Sequence, residues 1–345
     1  MRHTPLLLLF LFTLLPALTP AYGQGRPSPY PLPSAPVELE TYNATVKATV
    51  VAQGIPRPFG FEVLPNGDIL ITDRYSPALR VIQGNELIPE PMQGLPPVRT
   101  GFHSGLLDVV AHPQFSDNQL IYLTYHVALD NDGEYAIALG RGRYDGSTEL
   151  KDFEQLFEGT PMTISGGSRM AFAPDGKLFV TVGGAMDRRP LAQDLSRLEG
   201  KVLRLNENGT IPADNPFIDH ADAHPAIYSY GHRDQYAKLP REGYESAILI
   251  WQPGIVPSGL LFYTGEAFPQ WQGQMLAGSI QRGRIPGTGG LERVVFDNLM
   301  QEVQRETMVT ELRQRIRDVS QGPDGAIYLL TEEENGAVIK LEPAS

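Results

Sequence analysis

Phe61-Glu62-Val63-Leu64-Pro65-Asn66-Gly67-Asp68-Ile69-Leu70-Ile71-Thr72-Asp73 sets the reading of this chain. A short apolar strand enters a Pro-Asn-Gly-Asp turn and a second, β-branched strand leaves it. Asn-Gly supplies the positive backbone angles that a tight hairpin demands, so the stretch predicts two antiparallel strands. The same grammar returns at Met170 to Val182 around Pro174-Asp175-Gly176, and at Asp318 to Thr331 around Pro323-Asp324-Gly325. A longer cousin runs from Leu107 through His112-Pro113 to Leu120 and Tyr125.

The first two turns lie 109 residues apart and the next two 149. Against a unit of about 50 residues, one four-stranded blade, these spacings predict two and three units and hence an all-β propeller. A β-sandwich of repeated hairpins is the competing fold; it accounts for the hairpins but not for their spacing. Leu79 to Ile82, Lys201 to Leu205 and Ala337 to Leu341 fit further strands of the blades. Helical pattern is confined to a turn or two at Gln193 to Leu198.

Met1-Arg2-His3 precedes an apolar run, Leu6 to Leu18, that ends in small residues near Ala21-Tyr22-Gly23. This is the layout of a secretory signal peptide over residues 1–23, and it predicts export to the periplasm or beyond. An uncleaved N-terminal anchor is the alternative. Residues 24–45 are Pro-rich and lack periodicity, which predicts an extended lead-in to a single propeller domain over 46–345. The chain has no cysteine, which excludes disulfides, thiolate metal sites and a lipoprotein anchor. A net charge of −12 argues against nucleic acid and anionic membranes as partners.

Three stretches carry a resemblance to a known family. They are Gly105-Leu106-Leu107-Asp108-Val109-Val110-Ala111-His112-Pro113, the run Leu198-Glu199-Gly200-Lys201-Val202-Leu203-Arg204 with Ile211 to Phe217, and Arg315-Ile316-Arg317-Asp318-Val319 before Pro323-Asp324-Gly325. Together they resemble the soluble, PQQ-dependent aldose (glucose/sorbosone) dehydrogenases, over roughly residues 50 to 342. The resemblance implies a six-bladed propeller that oxidises sugars with pyrroloquinoline quinone (PQQ) and calcium.

The family's cofactor arginines fall on Arg233, Arg315 and Arg317, a residue type suited to binding a planar tricarboxylate. The asparagine that follows the first of them is Asp234 here, and the family's cofactor lysine falls at Gln281 with Arg282 beside it. The family's general-base histidine falls on Ser165, whose hydroxyl does not titrate near neutral pH. His103 stands where the family has a substrate-proximal glutamine and is the candidate replacement base; a loop histidine without a role is the alternative. His112 reads as structural, while His126, His220, His224 and His232 lack metal-site spacing.

After Arg233-Asp234-Gln235-Tyr236 the family continues for some tens of residues, including its calcium segment, but this chain passes quickly to Ile248-Leu249-Ile250-Trp251. The expectation is a propeller one blade short, or six blades with one incomplete. Asp130-Asn131-Asp132-Gly133-Glu134 has calcium-loop chemistry without the spacing of an EF-hand and reads as a solvated turn. Two functions stay open: a periplasmic PQQ-dependent oxidoreductase-like protein acting on aldoses with an eroded site, and a non-catalytic propeller binding a sugar, glycan or protein. A lactonase-type hydrolase would need convergent carboxylates that the sequence does not single out.

Overall fold

The computed structural model describes residues 30–101, 104–130, 133–162, 166–184, 189–232 and 247–344. The leader over 1–23 lies outside them, as do His103, Ser165, Arg233 and Asp234.

Five antiparallel sheets radiate as blades among the described residues. The chain opens with β1 (Val37–Glu40) and β2 (Thr45–Ile55). Four blades follow in sequence order. The first is β3 (Pro58–Val63), β4 (Ile69–Asp73), β5 (Ala78–Gln83) and β6 (Glu86–Leu87). Next come β7 (Leu106–Ala111), β8 (Leu120–Ala128), β9 (Tyr135–Arg143) and β10 (Lys151–Glu158). The third blade is β11 (Met170–Phe172), β12 (Leu178–Val182), β13 (Lys201–Leu205) and β14 (Ile227–Tyr230). The fourth is β15 (Pro257–Phe262), β16 (Met275–Ser279), β17 (Gly290–Phe296) and β18 (Glu302–Met308).

The last blade mixes the two ends of the chain, in the order β1-β2-β21-β20-β19, with β19 (Ile316–Gln321), β20 (Ile327–Thr331) and β21 (Gly336–Pro343). β2 pairs with β21 from Val46↔Pro343 to Ile55↔Gly336, so the N-terminal strands cover the edge that β21 would otherwise leave unpaired. Val37–Glu40, within the stretch read as a lead-in, are thus the outermost strand of a blade. The motif spacing also resolves differently from its reading. Each Pro-Asp/Asn-Gly turn joins the first two strands of a blade, β3–β4, β11–β12 and β19–β20. Among the described residues the 149-residue interval spans two blade steps rather than three: residues 206–226 separate β13 from β14, and residues 233–246, between β14 and β15, lie outside the described residues.

Side chains alternate across each strand, so every blade packs an apolar face on its neighbour. Leu178, Val180 and Leu203 of the third blade meet Ile137 and Leu139 of the second. Leu276 and Leu291 of the fourth meet Ile316, Leu329 and Ile339 of the last. The innermost strands pack in the series β15, β19, β3, β7, β11. At the ends of that series, β11 and β15 do not close on each other in the same way among the described residues. Among the described residues the count is one blade fewer than the six that the resemblance implies, and the interruption read near residue 237 lies outside them.

Candidate functional site

The innermost strands bring their charged residues to the axis. Arg169 enters from the turn before β11 and joins three other strands. Its Nη1 lies 2.8 Å from Asp108 Oδ1 on β7 and 2.5 Å from Asp318 Oδ2 on β19. Its Nη2 donates to the carbonyls of Phe59 at 2.8 Å and Arg317 at 3.2 Å. Asp108 Oδ2 accepts from the Met170 amide at 2.7 Å, and Asp318 Oδ2 accepts from the Phe61 amide at 3.3 Å. β3 can come this close because Gly60 has no side chain: a Cβ there would sit 2.5 Å from Asp108 Oδ1 and 2.9 Å from Arg169 Nη1.

Burial dominates the electrostatics. It pushes Asp318 up to about 6 against the pull of Arg169, with Asp108 adding repulsion. Asp108 is raised by the same burial, again opposed by Arg169. Burial works against the Arg169 charge too, but Asp318 and Asp108 outweigh it and hold the guanidinium above the ordinary arginine value.

Beside this hub, three guanidinium groups surround one aromatic ring. Arg317, Arg74 and Arg169 lie 4.0, 4.9 and 5.1 Å from the Phe59 ring centre, within cation–π range. Glu332 links two of the predicted arginines, at 2.8 Å from Arg315 Nη2 and 3.4 Å from Arg317 Nη1. Arg315 Nη1 also donates to Gln281 Oε1 at 3.3 Å. Burial lowers Arg317 to about 10, opposed by Glu332 and reinforced by the like charges of Arg169 and Arg74.

Of the residues predicted from sequence, the structure therefore brings together Arg315, Arg317 and Gln281. Arg282 points elsewhere: its Nη2 lies 2.5 Å from Glu292 Oε1 and 2.9 Å from Thr307 Oγ1, which commits it to the body of the fourth blade. Arg233, Asp234, His103 and Ser165 lie outside the described residues. His112 is structural, held at 3.0 Å by Glu207 and accepting from the Gln114 amide.

Sequence reasoning did not single out Arg169, Phe59, Arg74 or Glu332. Asp108 and Asp318 each lie in a matched stretch, yet nothing along the chain says that one arginine will bridge them across 61 and 149 residues. No group of three or more His, Asp or Glu placed to hold a metal ion occurs among the described residues. Two surface clefts, of about 360 Å³ beside Pro65 and Tyr144 and about 450 Å³ beside Phe179 and Tyr228, share no residue with the arginine group. The donor set at the axis is cationic and planar, and one carboxylate serves two of its guanidinium groups. That chemistry fits a flat, multiply charged anion such as PQQ.

Comparison with known proteins gives this arrangement its relatives. Aldose sugar dehydrogenase YliI of Escherichia coli is 31% identical over 358 aligned positions, covering 87% of this chain and 94% of that protein. The alignment exceeds the 345 residues of this chain, so the relative has stretches with no counterpart here. The solved apo-form of the soluble aldose sugar dehydrogenase from Escherichia coli superposes with a TM-score of 0.77 at 29% identity, covering 87% of this chain and 100% of that one. The PQQ-bound aldose sugar dehydrogenase of Streptomyces coelicolor shares the fold, with a TM-score of 0.68 at 21% identity over 87% of this chain and 99% of its own. No helix among the described residues is long and apolar enough to cross a membrane. The family model described as Glucose / Sorbosone dehydrogenase matches residues 55–240 and 235–340, two pieces that overlap over 235–240. With the arginine-lined axis, the shared propeller and a match over most of its length, this chain belongs to the glucose/sorbosone dehydrogenase family.

Proposed function

We propose that this protein is an exported, periplasmic PQQ-binding member of its family that acts on aldose sugars, with its quinone held at the arginine-lined end of the axis. The observation that carries the reading is the grouping of Arg315, Arg317 and Arg74 about Phe59 and Glu332. Arg315 and Arg317 would each offer a fork of N–H donors to a carboxylate, and Phe59 gives the guanidinium groups a flat surface to stack on. Glu332 competes for the same donors. When bound, PQQ supplies the acceptor for the hydride of the oxidised sugar carbon.

The proton from the sugar hydroxyl needs a base. Ser165 at the family's histidine position does not supply one, and His103 is the candidate in its place. That substitution favours the second reading, a non-catalytic propeller that binds a sugar, glycan or protein. This reading assigns calcium no site, because the chain passes quickly from Tyr236 to Ile248, where the resemblance implies the family's calcium segment.

The deciding experiment titrates PQQ into the mature protein, with and without calcium, and then follows dye reduction with a panel of aldoses. Binding with turnover supports the oxidoreductase, and binding without turnover supports the eroded site. No PQQ binding at all refutes the proposal. Charge-assisted hydrogen bonds contribute about 1.5–3 kcal/mol each, so Arg317→Ala should weaken PQQ roughly 10- to 100-fold. Glu332→Gln should strengthen it.

A further inference from the structure

We propose that Asp73 is a positioning residue of the quinone site: its carboxylate fixes the turn after β4 so that Arg74 lies over Phe59. This rests on the reading of the arginine group as the quinone-binding end of the axis, and it names the residue that sets one of those arginines in place.

Strand alternation carries Arg74 to the correct side of the blade. Thr72 Oγ1 donates to the Leu107 carbonyl at 2.5 Å and accepts from the Gly60 amide at 2.9 Å, so Thr72 faces the second blade close to the axis. Arg74, two residues further on, shares that side. But β4 ends at Asp73, whose ladder partner is Ala78, and Arg74 belongs to the turn between them. Past the last ladder pair, the sheet no longer dictates where a side chain points.

Gly105 and Asp73 take over from the sheet. A Cβ on Gly105 would lie 1.8 Å from the Arg74 carbonyl oxygen and 3.0 Å from Arg74 Cγ, so the bare glycine makes room for Arg74 against the start of β7. That gives space but no direction. Direction comes from Asp73, whose Oδ1 accepts from the amides of Tyr75 and Ser76, each at 3.2 Å. An aspartate oxygen in this role stands in for a backbone carbonyl and closes the turn around the residue that follows it. In the closed turn the Arg74 guanidinium lies 4.9 Å from the Phe59 ring centre and 5.6 Å from that of Tyr75. Arg57 approaches the same Tyr75 ring at 5.7 Å.

The arrangement is unfavourable for the carboxylate itself. Asp73 is 1% exposed, and its Oδ2 has no hydrogen bond among the described residues. Burial pushes its carboxyl up to about 6, against the amides of Ser76 and Tyr75 and the charges of Arg80 and Arg57. A buried carboxylate with one oxygen unmatched costs stability, which is the pattern of a residue that serves a site rather than the fold.

Two measurements on the mature protein test this, and the first needs no ligand. The rings of Phe59 and Tyr75 shift the Arg74 Nε–H resonance in nitrogen–proton NMR spectra, where Arg74→Lys assigns it. Asp73→Ala should return that resonance to the range of exposed arginines. Asp73→Asn, whose Oδ1 can still accept from both amides, should leave it in place. The second measurement is PQQ titration. Asp73→Ala should weaken PQQ as much as Arg74→Ala does, roughly 10-fold, and Asp73→Asn should bind like wild type. The double variant should bind no more weakly than Arg74→Ala alone, because Asp73 then has nothing left to position. Should Asp73→Ala not fold, Asp73→Ser, with its shorter acceptor, takes its place in both measurements. An Arg74 resonance unmoved by loss of the carboxylate would overturn the inference, as would additive losses in the double variant. A wild-type protein that binds no PQQ would refute the proposed function, while the resonance still decides what places Arg74.

Discussion

Arg169→Met keeps an apolar stem in place and removes the charge on which four of the innermost strands converge. It leaves Asp108 and Asp318 facing one another, only 3% and 7% exposed. Removing one partner of a buried ion pair costs about 3–5 kcal/mol, and here one cation serves two carboxylates, so the upper end applies when both are ionised. The cost depends on pH. Asp318 already sits near 6 with Arg169 present, through burial, and without the arginine both carboxyls rise further. A folded value raised above the unfolded one means that stability is lost as pH climbs from the unfolded value of about 4 through the folded value. The deficit relative to wild type should therefore be near 5 kcal/mol at pH 8 and about 3 kcal/mol or less at pH 5. Urea unfolding followed by the fluorescence of Trp251 and Trp271 at the two pH values measures it, and the melting temperature at pH 8 should fall by about 10 °C or more. Adding Asp108→Asn and Asp318→Asn removes the stranded charges and should recover much of the loss. A deficit below 1 kcal/mol at pH 8, or one equal at both pH values, would refute the role of Arg169 as the charged tie of the ring.

Burial, with Arg74 and Arg99 beside it, lowers His126 to about 3, so its contribution is complete above about 6.5 and is lost as pH falls toward 3. Near pH 5 that loss amounts to about 2 kcal/mol, and His126→Gln should flatten the acid limb of the stability profile; matching profiles would exclude it. Deleting residues 1–55 exposes the edge of β21 and should abolish the near-ultraviolet circular dichroism signal, whereas a truncated chain with native near-ultraviolet spectrum would show that β1 and β2 are dispensable. Gly105 has φ +151°, and a Cβ there would overlap the Arg74 carbonyl oxygen, so Gly105→Ala should cost at least about 1–3 kcal/mol; an unchanged melting temperature contradicts this.

Asn66-Gly67, Asp175-Gly176 and Asp324-Gly325 are local signals, because a hairpin turn depends on the φ preference of the residues in it. All three glycines adopt positive φ, and all three turns join the first two strands of a blade. The resemblance likewise rests on contiguous residues; in the structure Gln281 accepts from Arg315, and Glu332 links Arg315 to Arg317. Arg282, next in sequence to Gln281, does not join them. Adjacent residues on a chain near a strand end point to opposite sides, and Glu292 captures this one.

The sequence by itself determined the propeller class and the turn that begins three of its blades, since each is written in neighbouring residues. Only the tertiary structure decided that β2 completes the blade of β21, that the described strands between the last two turns make two blade steps, and that Arg169 bridges Asp108 and Asp318 beside the guanidinium groups at Phe59. The physical reason is that closure and charge pairing join residues far apart along the chain, whereas turn chemistry and strand alternation are settled within a few residues of one another.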